Sequence, residues 1–194
     1  MKVTINKIDL PASSELAISR QQFHYVDAYS AIIENSGKAI TIEDVGKAFF
    51  SSEPKWIEVL LNLRNKIVGL FGLKTGKSVR NRQQMINDFK CEPGKRLGLF
   101  KVFSKSTNEL ILGEDDKHLD FKVSLLLEKN NLGENVLVVS TVVIFHNWFG
   151  RLYFLPVKPF HKLIVPAMMK GVVQQITTGK SQKTKSKLQK ADSF

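Results

Sequence analysis

Two charged side chains fall at positions where the sequence otherwise predicts a hydrophobic core. Asp27 lies in an aromatic segment, and the two-residue period of a strand places it on one face with Tyr25 and Tyr29. Arg64 falls within the apolar face of a predicted helix, close to Ile67. A buried guanidinium is costly unless it is paired. The simplest prediction is therefore an ion pair between Asp27 and Arg64.

This predicted pair leaves three alternatives open. It is a buried structural salt bridge, or it orients a ligand at the wall of a cavity. In the third alternative the long side chain of Arg64 reaches solvent and the two groups never meet.

A second group of candidates lies where the last predicted strand meets the last predicted helix. His146 ends that strand and His161 begins that helix, and either can exchange a proton near neutral pH or make a structural hydrogen bond. Trp148, Arg151 and Tyr153 either line the opening between helix and sheet or pack there. The full set of ligand-cavity candidates is Tyr25, Asp27, Tyr29, Arg64, His146, Trp148, Arg151, Tyr153 and His161.

Several other chemistries lack their sequence signals. The histidines show no metal-ligand spacing, and no Ser or Cys lies in a nucleophile motif, so we expect no metal and no cofactor and assign no catalytic residue. Cys91 is the only cysteine, which excludes an intramolecular disulfide, and we expect it to be structural or exposed.

The first part of the chain predicts one strand and two short helices. Residues 23–34 are rich in aromatic and β-branched residues, which is typical of a strand. A helix follows over residues 42–50, with Thr41 as its N-cap. A second helix is predicted over residues 54–71, where apolar residues recur with helical spacing. Residues 74–87 are predicted to form a loop, with room for one short element.

The second part predicts an antiparallel meander and a long helix. Strands are expected over residues 97–104, 109–113, 118–129 and 135–147. The third of these has an apolar face and a polar face, so one side should meet water, whereas the fourth is apolar on both faces. The last helix should open at Pro159 and kink at Pro166. Its expected inner residues are Phe160, Leu163, Ile164, Ala167, Met168, Gly171, Val172 and Ile176.

The order of elements predicts one α+β domain over residues 1–178, with a basic, disordered tail over residues 179–194. The chain has 194 residues, is 43% hydrophobic and carries a formal charge of +11, part of which lies in this tail. The tail lacks aromatic residues that stack on bases, so we expect weak, non-specific contact with anionic surfaces and no specific nucleic acid. A signal peptide and a long apolar stretch are both missing, which favours the cytoplasm.

Several segments resemble a known family. They are Tyr25 to Tyr29 (Tyr-Val-Asp-Ala-Tyr), Trp56, Leu63-Arg64-Asn65, Phe71-Gly72-Leu73 and the run from Asn147 to His161. Over residues 10–178 the chain is similar to the bacterial family called domain of unknown function 2867. That family is assigned to the helix-grip superfamily (SRPBCC), together with START lipid-transfer domains, polyketide cyclases and the birch-pollen allergen.

The resemblance implies a helix-grip fold, in which a curved antiparallel sheet wraps around a long C-terminal helix and encloses an apolar cavity. Similar domains are sometimes fused to a nucleotide-binding reductase, which implies that a reductase is a partner in trans. The matching positions are Asp27, Arg64, Gly150, Arg151, Tyr153 and His161, and the resemblance assigns no role to any of them.

Three functions remain open. The first is a non-enzymatic module that binds a hydrophobic or amphipathic small molecule in the cavity. The second is a cyclase- or dehydratase-like enzyme that uses Asp27 with Arg64 or a histidine. The third is an interaction protein with a filled core that acts through its basic tail. We favour the first, and enzymatic activity stays undecided.

Overall fold

A seven-stranded antiparallel sheet and a long C-terminal helix dominate the fold. The computed structural model describes residues 3–34, 39–52, 89–98 and 100–191, with side chains as far as Thr178. The strands are β1 (Ile5–Ile8), β2 (Tyr25–Ile33), β3 (Arg96–Leu97), β4 (Phe100–Lys105), β5 (Glu109–Asp115), β6 (Leu119–Lys129) and β7 (Asn135–Phe145). The described helices are a 3-10 helix (Glu15–Gln22), α1 (Ile42–Ser51) and α2 (Trp148–Ala191).

The sheet order brings the first long strand against the last one. The order is β1-β2-β7-β6-β5-β4-β3, and every neighbouring pair is antiparallel. The predicted meander is therefore confirmed, and β2 is added to it beside β7. The α+β fold class is confirmed as well, with a curved antiparallel sheet packed against a long C-terminal helix.

The predicted N-cap of α1 is confirmed. The Thr41 hydroxyl accepts a hydrogen bond from the Asp44 backbone N–H at 3.1 Å, and the Asp44 carboxylate accepts one from the Thr41 N–H at 3.1 Å. This reciprocal capping box satisfies two backbone donors that a helix start leaves unpaired. The second predicted helix, over residues 54–71, and the loop over residues 74–87 lie outside the described residues.

The predicted start of the last helix is wrong. α2 begins at Trp148 and continues through Pro156 and Pro159. Asn147 explains the earlier start, because its side-chain oxygen accepts a hydrogen bond from the Gly150 N–H at 3.0 Å and so caps the first turn.

The predicted inner face of this helix is only partly right. Val172 and Ile176 are buried as expected, but Phe160 and Leu163 are exposed. The helix instead buries Phe154, Val165, Met169 and Val173. The buried side is therefore rotated from the predicted one, towards Val165, Met169 and Val173.

Both faces of the sheet are covered over much of their area. One face packs against α1 and α2 and forms the main core. On the other face Leu16 of the 3-10 helix packs on Ile111 and Val142. The expectation that the second face of β6 meets water is therefore wrong at Ser124 and Leu126, which are fully buried.

A buried carboxylate holds the 3-10 helix onto the sheet. Glu109 of β5 accepts hydrogen bonds from the hydroxyls of Ser14 and Ser124, and from the Glu15 backbone N–H at 2.9 Å. Three donors on one carboxylate offset the cost of burying its charge.

The backbone of α2 is helical as far as Ala191, and the division of the chain at residue 178 stays a prediction. Among the described residues no helix combines the length and the hydrophobicity that crossing a membrane requires.

Candidate functional site

A polar cluster lies between β2 and α2, on the face of the sheet that otherwise forms the core. Its centre is Asp27, which is only 5% exposed and faces α2 as the two-residue period predicts. A carboxylate in such a position needs hydrogen-bond donors. Two side chains supply them, Tyr25 from the same strand and His161 from α2.

His161 brings the helix into the cluster. Its Nε2 lies 3.3 Å from Asp27 Oδ1, and its side chain is largely buried. Because a carboxylate accepts hydrogen bonds, the tautomer with its proton on Nε2 fits this contact, and in that tautomer Nδ1 is an acceptor. The sequence indicated both residues as candidates, but it predicted Arg64 and not His161 as the partner of Asp27.

Tyr25 completes the cluster from the adjacent position on the same face of β2. Its Oη donates a hydrogen bond to Asp27 Oδ2 at 2.6 Å. The ring packs on Phe154 with centroids 4.8 Å apart and meets His161 edge-on at 6.1 Å. Burial and the hydrogen bond to Asp27 both raise the pKa of Tyr25, so the phenol stays protonated and acts as a donor.

Thr141 is the polar neighbour of Asp27 on β7. The two residues are directly opposed in the β2–β7 register, so their side chains share the helix-facing side of the sheet. Thr141 is 3% exposed, and among the described residues its hydroxyl has no hydrogen-bond partner. Leaving a buried hydroxyl unpaired costs about 1–3 kcal/mol. The cluster therefore contains one unused donor and acceptor.

Tyr29 lies two residues beyond Asp27 on β2 and is also buried. Burial raises the pKa of Tyr29, and the nearby charge of Asp27 adds to the effect. Three of the predicted cavity residues on β2, together with His161 of α2, thus lie in one place.

The remaining predicted cavity residues lie elsewhere. Arg64 is outside the described residues, so its pairing with Asp27 stays a prediction. His146 pairs with Asp120 at 2.9 Å on the opposite face of the sheet. Trp148 and Arg151 are exposed on α2. Tyr153 is half-buried against the Leu119–Val143–Phe154 cluster.

Sequence reasoning missed Thr141, although a signal existed. Ser140 and Thr141 are the only polar residues inside an otherwise apolar strand, and the period of two sends them to opposite faces. Thr141 therefore had to point at one layer of the core. The register that sets it beside Asp27 becomes visible only when β2 pairs with β7.

A separate cleft of about 380 Å³ lies between α1 and the end of β4. An ion pair between Glu43 and Lys105 crosses it, and Cys91 lies buried among its lining residues. Burial raises the pKa of the Cys91 thiol, which makes it a weak nucleophile. This cleft is rich in charged groups and does not include the Asp27 cluster.

The Asp27 cluster can bind and orient a polar group or exchange a proton with it. Asp27 orients His161, and the other ring nitrogen is then placed to accept or donate a proton. Among the described residues, no group of three or more His, Cys, Asp or Glu side chains is arranged to hold a metal ion.

A family model described as protein of unknown function (DUF2867) matches residues 19–168. That range includes β2, the meander and the first part of α2, and so contains the whole Asp27 cluster. No curated protein and no solved structure matches the chain.

Proposed function

Because the chain belongs to the DUF2867 family of proteins of unknown function, we propose a function from its site. The protein is a binding module for an amphipathic small molecule that lies between the sheet and α2. The polar end of the molecule meets Asp27, His161 and Thr141, and its apolar part packs on the core. We also infer that the family is part of the helix-grip superfamily, which the sheet and the long helix support.

The unpaired hydroxyl of Thr141 carries this proposal. Buried hydroxyls in folded proteins almost always have a partner, and this one lies opposite the Asp27 carboxylate. A ligand that supplies one acceptor or donor satisfies it. The surroundings of the cluster are apolar, with Val143, Phe154 and the Tyr25 ring next to it, which is typical of ligand sites with few polar groups.

The charge of the site favours a neutral head on the ligand. Asp27 repels an anion, and its two oxygens already accept hydrogen bonds from Tyr25 and His161. A hydroxyl, amide or carbonyl group fits Thr141 and Nδ1 of His161 without an uncompensated charge. We therefore expect a neutral, hydrogen-bonding head with an apolar body.

A fluorescent probe tests the proposal. N-phenyl-1-naphthylamine is neutral and amphipathic, and its emission rises in a dry apolar site. Thr141→Val keeps the shape of the side chain but removes the hydroxyl, so the probe should bind about threefold to tenfold more weakly.

Ser140→Ala is the matched control. Ser140 is equally buried and also has no partner among the described residues, but it faces the other side of the sheet. Its removal should leave probe binding unchanged. Equal effects of the two substitutions, or no probe uptake at all, would contradict binding at this site.

The pairing of Asp27 with His161 favours a second candidate, a cyclase- or dehydratase-like enzyme. In this function Asp27 orients His161 and the imidazole transfers a proton to or from the bound molecule. Small molecules extracted from the protein would then change in mass or isomer on incubation with fresh protein. His161→Gln should abolish that change, and it should also weaken binding because it removes the ring nitrogen that meets the ligand. A pure binding module returns the molecule unaltered.

A further inference from the structure

The outer side of the first part of α2 carries exposed apolar side chains in a line. Relative to Trp148 they occur at i+4, i+7, i+11 and i+15, which is one face of a helix. Trp148 is 73% exposed and Leu163 is 63% exposed. We call this set the outer stripe, and its members are Trp148, Leu152, Leu155, Pro159 and Leu163.

The outer stripe is not the edge of the core. Phe154 and Val165, on the opposite side of the same helix, are buried against the sheet. Of the eight large hydrophobic residues that are exposed in the described part of the chain, five lie between Trp148 and Leu163. Scattered exposed apolar residues are ordinary, but a contiguous line of them marks a contact surface.

Basic residues border the outer stripe and acidic ones are missing. Arg151, Lys158 and Lys162 are exposed at helical spacing along one side of it. The sequence of α2 contains no Asp or Glu. None of the ion pairs among the described residues involves these three cations. We call them the basic rim.

We propose that this side of α2 docks on an anionic lipid surface, with the helix lying in the interface plane. The outer stripe enters the boundary between headgroups and acyl chains, and the basic rim meets the lipid phosphates. A Trp at one end of the stripe suits this boundary, because indole is enriched there. The proposal does not depend on the proposed ligand site.

This docking surface adjoins the Asp27 cluster. Lys158 of the basic rim lies over the Tyr25 ring, 5.5 Å from its centroid. Tyr25 in turn donates its hydrogen bond to Asp27. Docking through α2 therefore brings the cluster close to the lipid surface, where amphipathic molecules concentrate.

Fluorescence of Trp148 tests the docking directly. The chain has two tryptophans, so Trp56→Phe leaves Trp148 as the only one. The full-length protein is mixed with phosphatidylcholine vesicles, with or without phosphatidylglycerol. We expect Trp148 emission to shift to the blue and the protein to sediment with the phosphatidylglycerol vesicles, and both effects to weaken as salt is raised.

Two variants separate the apolar and the basic contributions. Leu155→Ser with Leu163→Ser should lower vesicle binding at least about tenfold, because the variant loses two leucines that enter the lipid boundary. Neutralising the basic rim with Arg151→Gln, Lys158→Gln and Lys162→Gln should lower the affinity for anionic vesicles about fivefold for each charge removed.

The control is a double variant at the other end of the sheet. Lys129→Gln with Leu132→Ser removes one exposed cation and one exposed leucine near the turn between β6 and β7. Its vesicle binding should equal that of the wild type.

Several results would overturn the proposal. Full vesicle binding by both variants would assign the contact to the tail beyond Thr178. A large loss of thermal stability in the stripe variant would show that another segment of the chain, such as residues 53–88, covers the stripe. A dimer that the stripe variant dissociates would assign the surface to a second copy of the chain.

Discussion

His161 Nε2 lies 3.3 Å from Asp27 Oδ1, and this contact joins the middle of α2 to β2. Around this contact the helix and the sheet also meet through apolar groups, such as the Phe154 ring on the Tyr25 ring. The same contact places the imidazole beside Tyr25 and near the unpaired Thr141. Structure and proposed function therefore depend on one pair.

A double-mutant cycle should detect this pair. Asp27→Asn and His161→Gln should show a coupling of about 1–3 kcal/mol in urea denaturation, because the pair is largely buried. The pair of His146 and Asp120 is more exposed, so its coupling should be about 0–1 kcal/mol. Equal couplings would show that the Asp27–His161 contact contributes no more to stability than a surface pair.

Glu109→Gln should destabilise the protein by about 1–3 kcal/mol. Glu109 accepts hydrogen bonds from two hydroxyls and one backbone N–H, and an amide turns one of its acceptors into a donor that opposes them. Glu43→Gln is the control, since Glu43 pairs with Lys105 at the surface and should cost little. The measurement is the free energy of unfolding in urea. A smaller loss for Glu109→Gln than for Glu43→Gln would be inconsistent with the burial of Glu109.

Gly150→Ala should destabilise α2, although alanine normally stabilises a helix by about 1 kcal/mol relative to glycine. A Cβ at Gly150 would lie 2.1 Å from the His118 backbone oxygen, so the first turn has to move away from β6. Thermal denaturation measures the effect. A higher melting temperature in the variant would show that the helix start does not pack as closely as described.

Stability should fall at alkaline pH through Cys91. Burial raises the pKa of its thiol in the folded state. In the unfolded state the pKa of a cysteine thiol is about 8.5. The stabilising contribution is therefore complete below the unfolded pKa and is lost as pH rises towards the folded one.

The contribution of Cys91 can be isolated with Cys91→Ala. The difference in unfolding free energy between the wild type and this variant should shrink from about pH 7.5 to about pH 10. A difference that stays constant over this range would show that the folded thiol titrates like an unfolded one.

The sequence placed Asp27 on one face of β2 with Tyr25 and Tyr29, because the two-residue period of a strand needs no tertiary information. It predicted Arg64 as the partner, which lies outside the described residues, whereas the structure shows His161 in contact with Asp27. The predicted start of α2 at Pro159 is wrong, because the cap that starts the helix earlier depends on one Asn147 hydrogen bond. His161 falls between Met168 and Val172 on the predicted inner face, and the sequence did indicate it as a cavity candidate.

Two other features depend on contacts between distant segments. Ser124 is buried where Glu109 joins it to Ser14, at the start of the 3-10 helix. Thr141 meets Asp27 only because β2 pairs with β7 in one register. Periodicity shows which residues share a face, but it does not show what covers that face.

Native mass spectrometry of the purified protein, before and after denaturing extraction, tests the central claim most directly. We expect a defined additional mass on the wild type that extraction removes, with lower occupancy in Thr141→Val and unchanged occupancy in Ser140→Ala. A wild-type protein without any bound mass, or equal occupancy in the two variants, would contradict a ligand site at Asp27, His161 and Thr141.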